Sequence, residues 1–214
     1  EMNMIGGLTM LVAIATMTPE LILSETGDCD AIFNANAGPI TAEAMTQLPR
    51  CKLIARYGIG VDTIDLKAAT EAGIIVTNNP TYCIQEVAEH AMALMLGCAR
   101  RVPFFDRQVR AGEWNVMAGK PMFRLEGSTL GLLGFGNIAR EVAVRGAAFG
   151  MKVLFSDPFV EEGQFEAPGR KVENDELFGE SDIISIHPPL IPQTRGMIND
   201  EVFSRMKSTA YIVN

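Results

Sequence analysis

Histidine and tryptophan are scarce in this sequence: 214 residues hold two His and one Trp. Imidazole chemistry within these residues must fall on His90 or His187. Cysteine is sparse too, with Cys29, Cys51, Cys83 and Cys98 and no C-x-x-C, which excludes the usual thiolate metal and redox spacings. A chain of this length needs no disulfide staples, so reduced thiols and a cytoplasmic location are expected. No metal site is expected. Long uninterrupted apolar runs are lacking: the uncharged stretch after His90 covers only residues 91–99, against roughly 18 needed to span a bilayer. The apolar run 8–15 has no basic residues ahead of it, as a signal peptide would require. Positive charge is in deficit, with 18 Lys plus Arg against 26 Asp plus Glu and a net charge of −8. No Lys/Arg cluster offsets it, so direct nucleic-acid binding and membrane association are not expected.

What is present is an alternation of short apolar runs with helical patterns, the pattern of βαβ units and parallel sheets. Strands are expected at 10–15, 31–34, 53–57 and 74–77, with helices opening at Thr18-Pro19-Glu20, at Thr41 and at Asp65. A long helix then covers 85–101, with Val87, Ala91, Leu94, Met95 and Cys98 on one face, followed by a polar stretch at 107–127. The alternation restarts with strands at 130–135, 152–156, 183–187 and 210–213, and with helices at 138–149, 174–178 and 200–206. Residues 161–170 read as an exposed loop. The class is α/β, with two doubly wound parallel-sheet domains joined through the long helix.

The sharpest motif is Gly134-Phe135-Gly136-Asn137-Ile138-Ala139, a G-x-G-x-x-A placed where a buried strand ends and a helix begins. Gly134 suits the tight turn, Gly136 lets a pyrophosphate approach the backbone, and Ala139 allows close helix packing. The next strand delivers Asp157 about twenty residues on, where the adenosine ribose hydroxyls of a dinucleotide are expected. A carboxylate about 4 Å from a 2′-phosphate would cost roughly 4 kcal/mol per unit charge at an effective dielectric near 20. Pro158, Phe159 and Val160 follow, with no Lys or Arg among them, so NAD is favoured over NADP. The alternative is a tightly packed strand–helix turn with a surface Asp.

A second turn, Arg56-Tyr57-Gly58-Ile59-Gly60-Val61-Asp62, also follows a strand. It reads either as a nest of backbone N–H groups for a carboxylate or as an ordinary turn in which Asp62 or Asp65 caps the next helix. His90, mid-helix, is expected to be a hydrogen-bonded structural histidine. His187 ends a strand before Pro188-Pro189, at the carboxyl edge where open α/β sheets bind ligands. That places it near a ligand without making it catalytic.

Taken together, Lys52 through Asp65, Val76-Thr77-Asn78-Asn79-Pro80, Val87-Ala88-Glu89-His90, the glycine motif with Asp157, Ser181 through Pro189, and Thr194-Arg195 resemble the D-isomer-specific 2-hydroxyacid dehydrogenases across nearly the whole chain. Arg100-Arg101 and Phe155-Ser156-Asp157-Pro158 are similar to the branch that includes the C-terminal-binding protein corepressors. The resemblance implies a flavodoxin-like substrate domain over residues 1–84 and a Rossmann NAD-binding domain over 85–214. It further implies hydride exchange between nicotinamide and C2 of a 2-hydroxy or 2-keto acid in the cleft between them, in a homodimer. Gly58, Ile59 and Gly60 would hold the substrate carboxylate. Gly134, Gly136, Asn137, Ile138 and Asp157 would form the dinucleotide site, with His187, Pro188 and Thr194 near the cofactor.

In that family the catalytic arginine, its acidic partner and the acid/base histidine would follow Asn214. The first βα unit of the substrate domain and the last strands of the Rossmann sheet are likewise expected to be missing, so the catalytic residues are unassigned and the chain is expected to be part of a longer polypeptide. A rival reading is an NAD(H)-sensing, corepressor-like binding module on the same fold.

Overall fold

A computed structural model of the chain describes residues 11–14, 29–35 and 38–214. The helix expected from Thr18 and the two ends of the first expected strand lie outside the described residues. The chain divides into two compact units, Glu1–Tyr82 and Cys83–Asn214.

The first unit carries four parallel strands in spatial order β1 (Leu11–Ile14), β2 (Ala31–Asn34), β3 (Leu53–Arg56) and β4 (Ile75–Thr77). Sequential order with parallel pairing requires crossovers on the sheet face. Helices α1 (Ala42–Thr46) and α2 (Leu66–Glu71) provide two of them. Each starts on a side-chain cap: Thr41 Oγ1 accepts from Ala44 N at 3.2 Å and Asp65 Oδ1 from Ala68 N at 2.9 Å. Asp65, rather than Asp62, is therefore the residue that caps α2. Ile32, Ile40, Met45, Leu48, Ile54, Ile64 and Ile74 form the core between helices and sheet.

The second unit opens with α3 (Ile84–Ala99) and α4 (Val102–Arg110). Its five-stranded parallel sheet runs β7 (Arg170–Lys171), β6 (Lys152–Ser156), β5 (Thr129–Leu133), β8 (Ile183–Ile186), β9 (Tyr211–Val213). Helices α5 (Asn137–Ala148), α6 (Asn174–Glu180) and α7 (Asp200–Arg205) connect strands. From β5 the chain moves outward to β6 and β7, then returns to β8 on the other side of β5. The strand order therefore reverses between the carboxyl ends of β5 and β8, which is where open sheets of this type form a ligand crevice.

Three expectations need correcting. Helix α3 buries Ala88, Ala91, Met92, Met95 and Ala99, while Val87, Leu94 and Cys98 are exposed. Its buried stripe is made of small residues and methionine because it shares one cluster with Ala139, Val142 and Ala143 of α5, and close helix approach favours small side chains over branched ones. The stretch 107–127 is not uniformly irregular, since α4 runs to Arg110 and Val116–Gly119 makes a 3-10 turn. Helix α4 has no buried residue and is braced by Asp106 and Arg110 at 2.9 Å, one turn apart, while its apolar residues Val102, Phe105 and Val109 recur at helical spacing. Finally, the end of the expected loop 161–170 enters the edge strand β7, where Phe155 pairs with Lys171.

Candidate functional site

At the end of β5, Gly134 has φ +77°, and a Cβ there would lie 3.0 Å from Pro188 N and 3.3 Å from the His187 carbonyl carbon. Only glycine meets both demands. Gly136 is the N-cap of α5 and supplies no side-chain cap. A Cβ at Gly136 would meet nothing within 4 Å, so the helix start faces open space. The first-turn N–H groups of a helix have no partner within it, and with the helix dipole they form an anion site.

Asp157 ties this loop to β6. Its Oδ2 accepts from Phe135 N at 2.8 Å and its Oδ1 from Phe159 N at 2.8 Å. Behind the loop the Phe135 and Phe155 rings stack, with centroids 3.9 Å apart and 13° between planes. Arg140 adds a further hold, donating to Phe135 O at 3.1 Å and to Asn137 Oδ1 at 2.5 Å, with its guanidinium 3.8 Å from the Phe165 ring centroid.

A cavity of about 620 Å³ opens at the crossover point, lined among others by Gly134, Asp157, His187, Pro188 and Thr194. Its size falls within the roughly 300–1,000 Å³ of small-molecule sites. Gly136, Asn137 and Ile138 do not line it: Gly136 and Asn137 are exposed at the start of α5, and Ile138 packs against the core. His187 Nε2 lies 2.9 Å from Ser185 Oγ, and burial lowers its pKa from 6.5 to about 4. Its imidazole is therefore neutral at pH 7. The Thr194 hydroxyl donates to Pro189 O at 2.6 Å and accepts from Ile191 N at 3.0 Å, closing its own loop. His90 is exposed on α3, contrary to the expectation of a hydrogen-bonded structural role, because it lies off the stripe that packs on α5.

Most of the other lining residues escaped the sequence, Lys171 among them. Lys171 borders the same cavity as Asp157, although fourteen positions separate them in the chain. A two-residue edge strand carries no periodicity from which its pairing could be read.

In the first unit, three donors hold the carbonyls of the glycine turn. Asn79 N donates to Gly58 O at 3.0 Å, Asn78 Nδ2 to Ile59 O at 2.8 Å and Arg56 Nε to Gly60 O at 3.0 Å. None of the N–H groups of Gly58, Ile59 and Gly60 donates to another described residue. Amides left without a partner in this way are available to an anion. Arg56 is also bonded to Asn34 O at 3.3 Å and Asn34 Oδ1 at 3.2 Å, so it locks the turn to the end of β2.

Residues 92–214 match the family model described as D-isomer specific 2-hydroxyacid dehydrogenase, NAD binding domain. This chain belongs to that family. The hydroxypyruvate reductase of Thermotoga maritima is 44% identical over 187 residues, 87% of this chain and 60% of that protein. The glyoxylate reductase of Korarchaeum cryptofilum is 40% identical over 205 residues, 94% of this chain and 61% of that protein. Among solved structures, D-lactate dehydrogenase from Aquifex aeolicus complexed with NAD and lactic acid superposes with a TM-score of 0.83 at 35% identity, covering 89% of this chain and 57% of that one. The chain thus spans about three-fifths of the length of these curated relatives. As dehydrogenase-family relatives named for reductase and dehydrogenase activities, they do not favour a corepressor-like module.

Proposed function

We propose that this chain is the greater part of an NAD-dependent oxidoreductase that moves a hydride between nicotinamide and C2 of a D-2-hydroxy acid or its 2-keto counterpart. The observation that carries the reading is the glycine loop with an open front at α5, facing the same crossover as a cavity that contains Asp157. The relatives are named for glyoxylate, hydroxypyruvate and D-lactate, which are 2-keto or 2-hydroxy acids. A bound dinucleotide supplies the hydride donor or acceptor.

The chain's own residues bind and orient. The α5 amides beyond Gly136, including those of Asn137 and Ile138, face the pyrophosphate, and Gly134 keeps the crevice clear of a side chain. Asp157 accepts the adenosine ribose hydroxyls with the lone pairs its two backbone bonds leave free. Pro188 and the loop closed by Thr194 wall the cavity. His187, neutral at pH 7, belongs to that wall and is not assigned proton transfer. The amides of Gly58, Ile59 and Gly60 hold the substrate carboxylate, making Glu1–Tyr82 the substrate unit and Cys83–Asn214 the dinucleotide unit.

The proposal extends to a homodimer in the cytoplasm. Val87, Leu94, Val102, Val109 and Trp114 form exposed apolar surface on and after α3 and α4, and the four cysteines are free thiols. No helix among the described residues is long and apolar enough to cross a membrane.

The test is a fluorescence titration of the full polypeptide with NADH and NADPH, followed by a screen of 2-keto acids with NADH. NADH is expected to bind at least about tenfold more tightly than NADPH, from one like charge at the ribose, and at least one short 2-keto acid is expected to be reduced. Equal affinity for the two dinucleotides would overturn the role of Asp157. NADH binding without turnover of any keto acid would overturn the enzymatic reading.

A further inference from the structure

The cavity is lined by a cation as well as by the carboxylate of Asp157. Lys171 is the one Lys or Arg among the described residues that line it. Pairing of β7 with β6 places Lys171 opposite Phe155, two residues before Asp157. The ammonium of Lys171 sits 3.1 Å from Glu161 Oε1, with the glutamate side chain 78% exposed and the lysine side chain 27% exposed. Its backbone N–H donates separately to Glu162 Oε2 at 2.9 Å. β7 is therefore held by its pairing with β6 and by Glu162, while the direction of the lysine's charge depends on Glu161. An exposed ion pair of this kind holds its partners weakly, and a lysine stem can turn its head by several ångströms.

Asp157 is different. Both its oxygens are engaged by backbone N–H groups at 2.8 Å, so its negative charge is fixed in place. The cavity lining thus combines a carboxylate held in place at Asp157, a second at Glu173 and one cation on a weak tether.

We propose that Lys171 is a second determinant of cofactor choice. Paired with Glu161, it leaves the 2′ position to Asp157 and to NAD; turned from Glu161, it takes a 2′-phosphate and offsets the repulsion from Asp157. This rests on reading the cavity as a dinucleotide site.

The test uses NADH and NADPH titrations of the full polypeptide with Glu161→Gln, Lys171→Met and the double variant. Glu161 is exposed and Lys171 lies at the cavity's edge, and their loss leaves the β6 pairing and Glu162 to hold the strand; NADH binding by each variant reports that the site is intact. Glu161→Gln is expected to tighten NADPH about three- to tenfold and Lys171→Met to weaken it by a similar factor, with NADH changed less than about twofold. The double variant should bind NADPH like Lys171→Met, and the gain from Glu161→Gln should fade in high salt. Unchanged NADPH affinity in all variants, with NADH still bound, overturns the proposal and leaves the dinucleotide reading standing. Equal shifts for both dinucleotides also overturn it, since Lys171 would then be acting through the fold. Failure of the unmodified protein to bind NADH overturns both.

Discussion

His187 illustrates how a side chain's chemistry follows from its place in the sheet. It follows β8 at the crossover, and burial lowers its pKa from 6.5 to about 4. In the unfolded chain the imidazole takes up a proton as the pH falls through 6.5, while the native one stays neutral until about 4. The unfolded state then binds more protons, so the stability that is complete above pH 6.5 is lost as the pH falls toward 4. The loss is on the order of 3 kcal/mol. His187→Gln should abolish that part of the acid sensitivity, which urea unfolding at about pH 7 and about pH 4.5 would read out as a smaller difference between the two conditions. An unaltered difference would mean that His187 does not titrate as its burial requires. The position of His187 was legible from the strand and the following prolines; its lowered pKa was not, because burial depends on what packs over the ring.

At the scale of elements, β5 is the strand on which the second unit is assembled, and its tolerance for side chains is set by its neighbours. A Cβ on Gly131 would lie 2.1 Å from Ser181 Oγ and 3.2 Å from Leu177 Cγ. Ser181 is fully buried, with its hydroxyl donating to Leu177 O at 2.6 Å. Gly131→Ala must therefore displace a satisfied buried hydroxyl, and it is expected to destabilise the protein by about 2 kcal/mol. Adding Ser181→Ala should recover part of that loss, because it removes the clashing oxygen. Thermal melts of the single and double variants check this, and additive losses would show that the two sites do not touch. The existence of β5, α5, β6 and β8 was evident from alternating patterns, but the buried face of α3 was not. The face read from the sequence included Val87, Leu94 and Cys98, and only packing on α5 selected Ala88, Ala91, Met92, Met95 and Ala99 instead.

At the scale of the molecule, the proposed function assigns the two ligands to different units. All residues that line the dinucleotide cavity fall between Leu133 and Met197, while the carbonyls of the Gly58–Gly60 turn are held by Arg56, Asn78 and Asn79 of the first unit. Arg56→Met should free the turn, raising KM for the keto acid about tenfold through lost ordering of the carboxylate nest. The NADH dissociation constant should stay within about twofold, since every residue that lines the cavity belongs to the other unit. Steady-state kinetics with an NADH titration distinguishes this from global damage, which would weaken both.

The sequence by itself determined the α/β class, the glycine motif at the β5–α5 turn and the acidic residue at the end of β6, because each depends on local periodicity or on spacing along one βα unit. It also carried the family resemblance. The tertiary structure decided which residues meet: Lys171 beside the cavity that Asp157 lines, Arg56 on the carbonyl of Gly60, and His90 left in solvent. The physical reason is that local patterns follow from backbone and solvent preferences within a few residues. Neighbours brought together by strand pairing and helix packing are distant in the chain and leave no period to read.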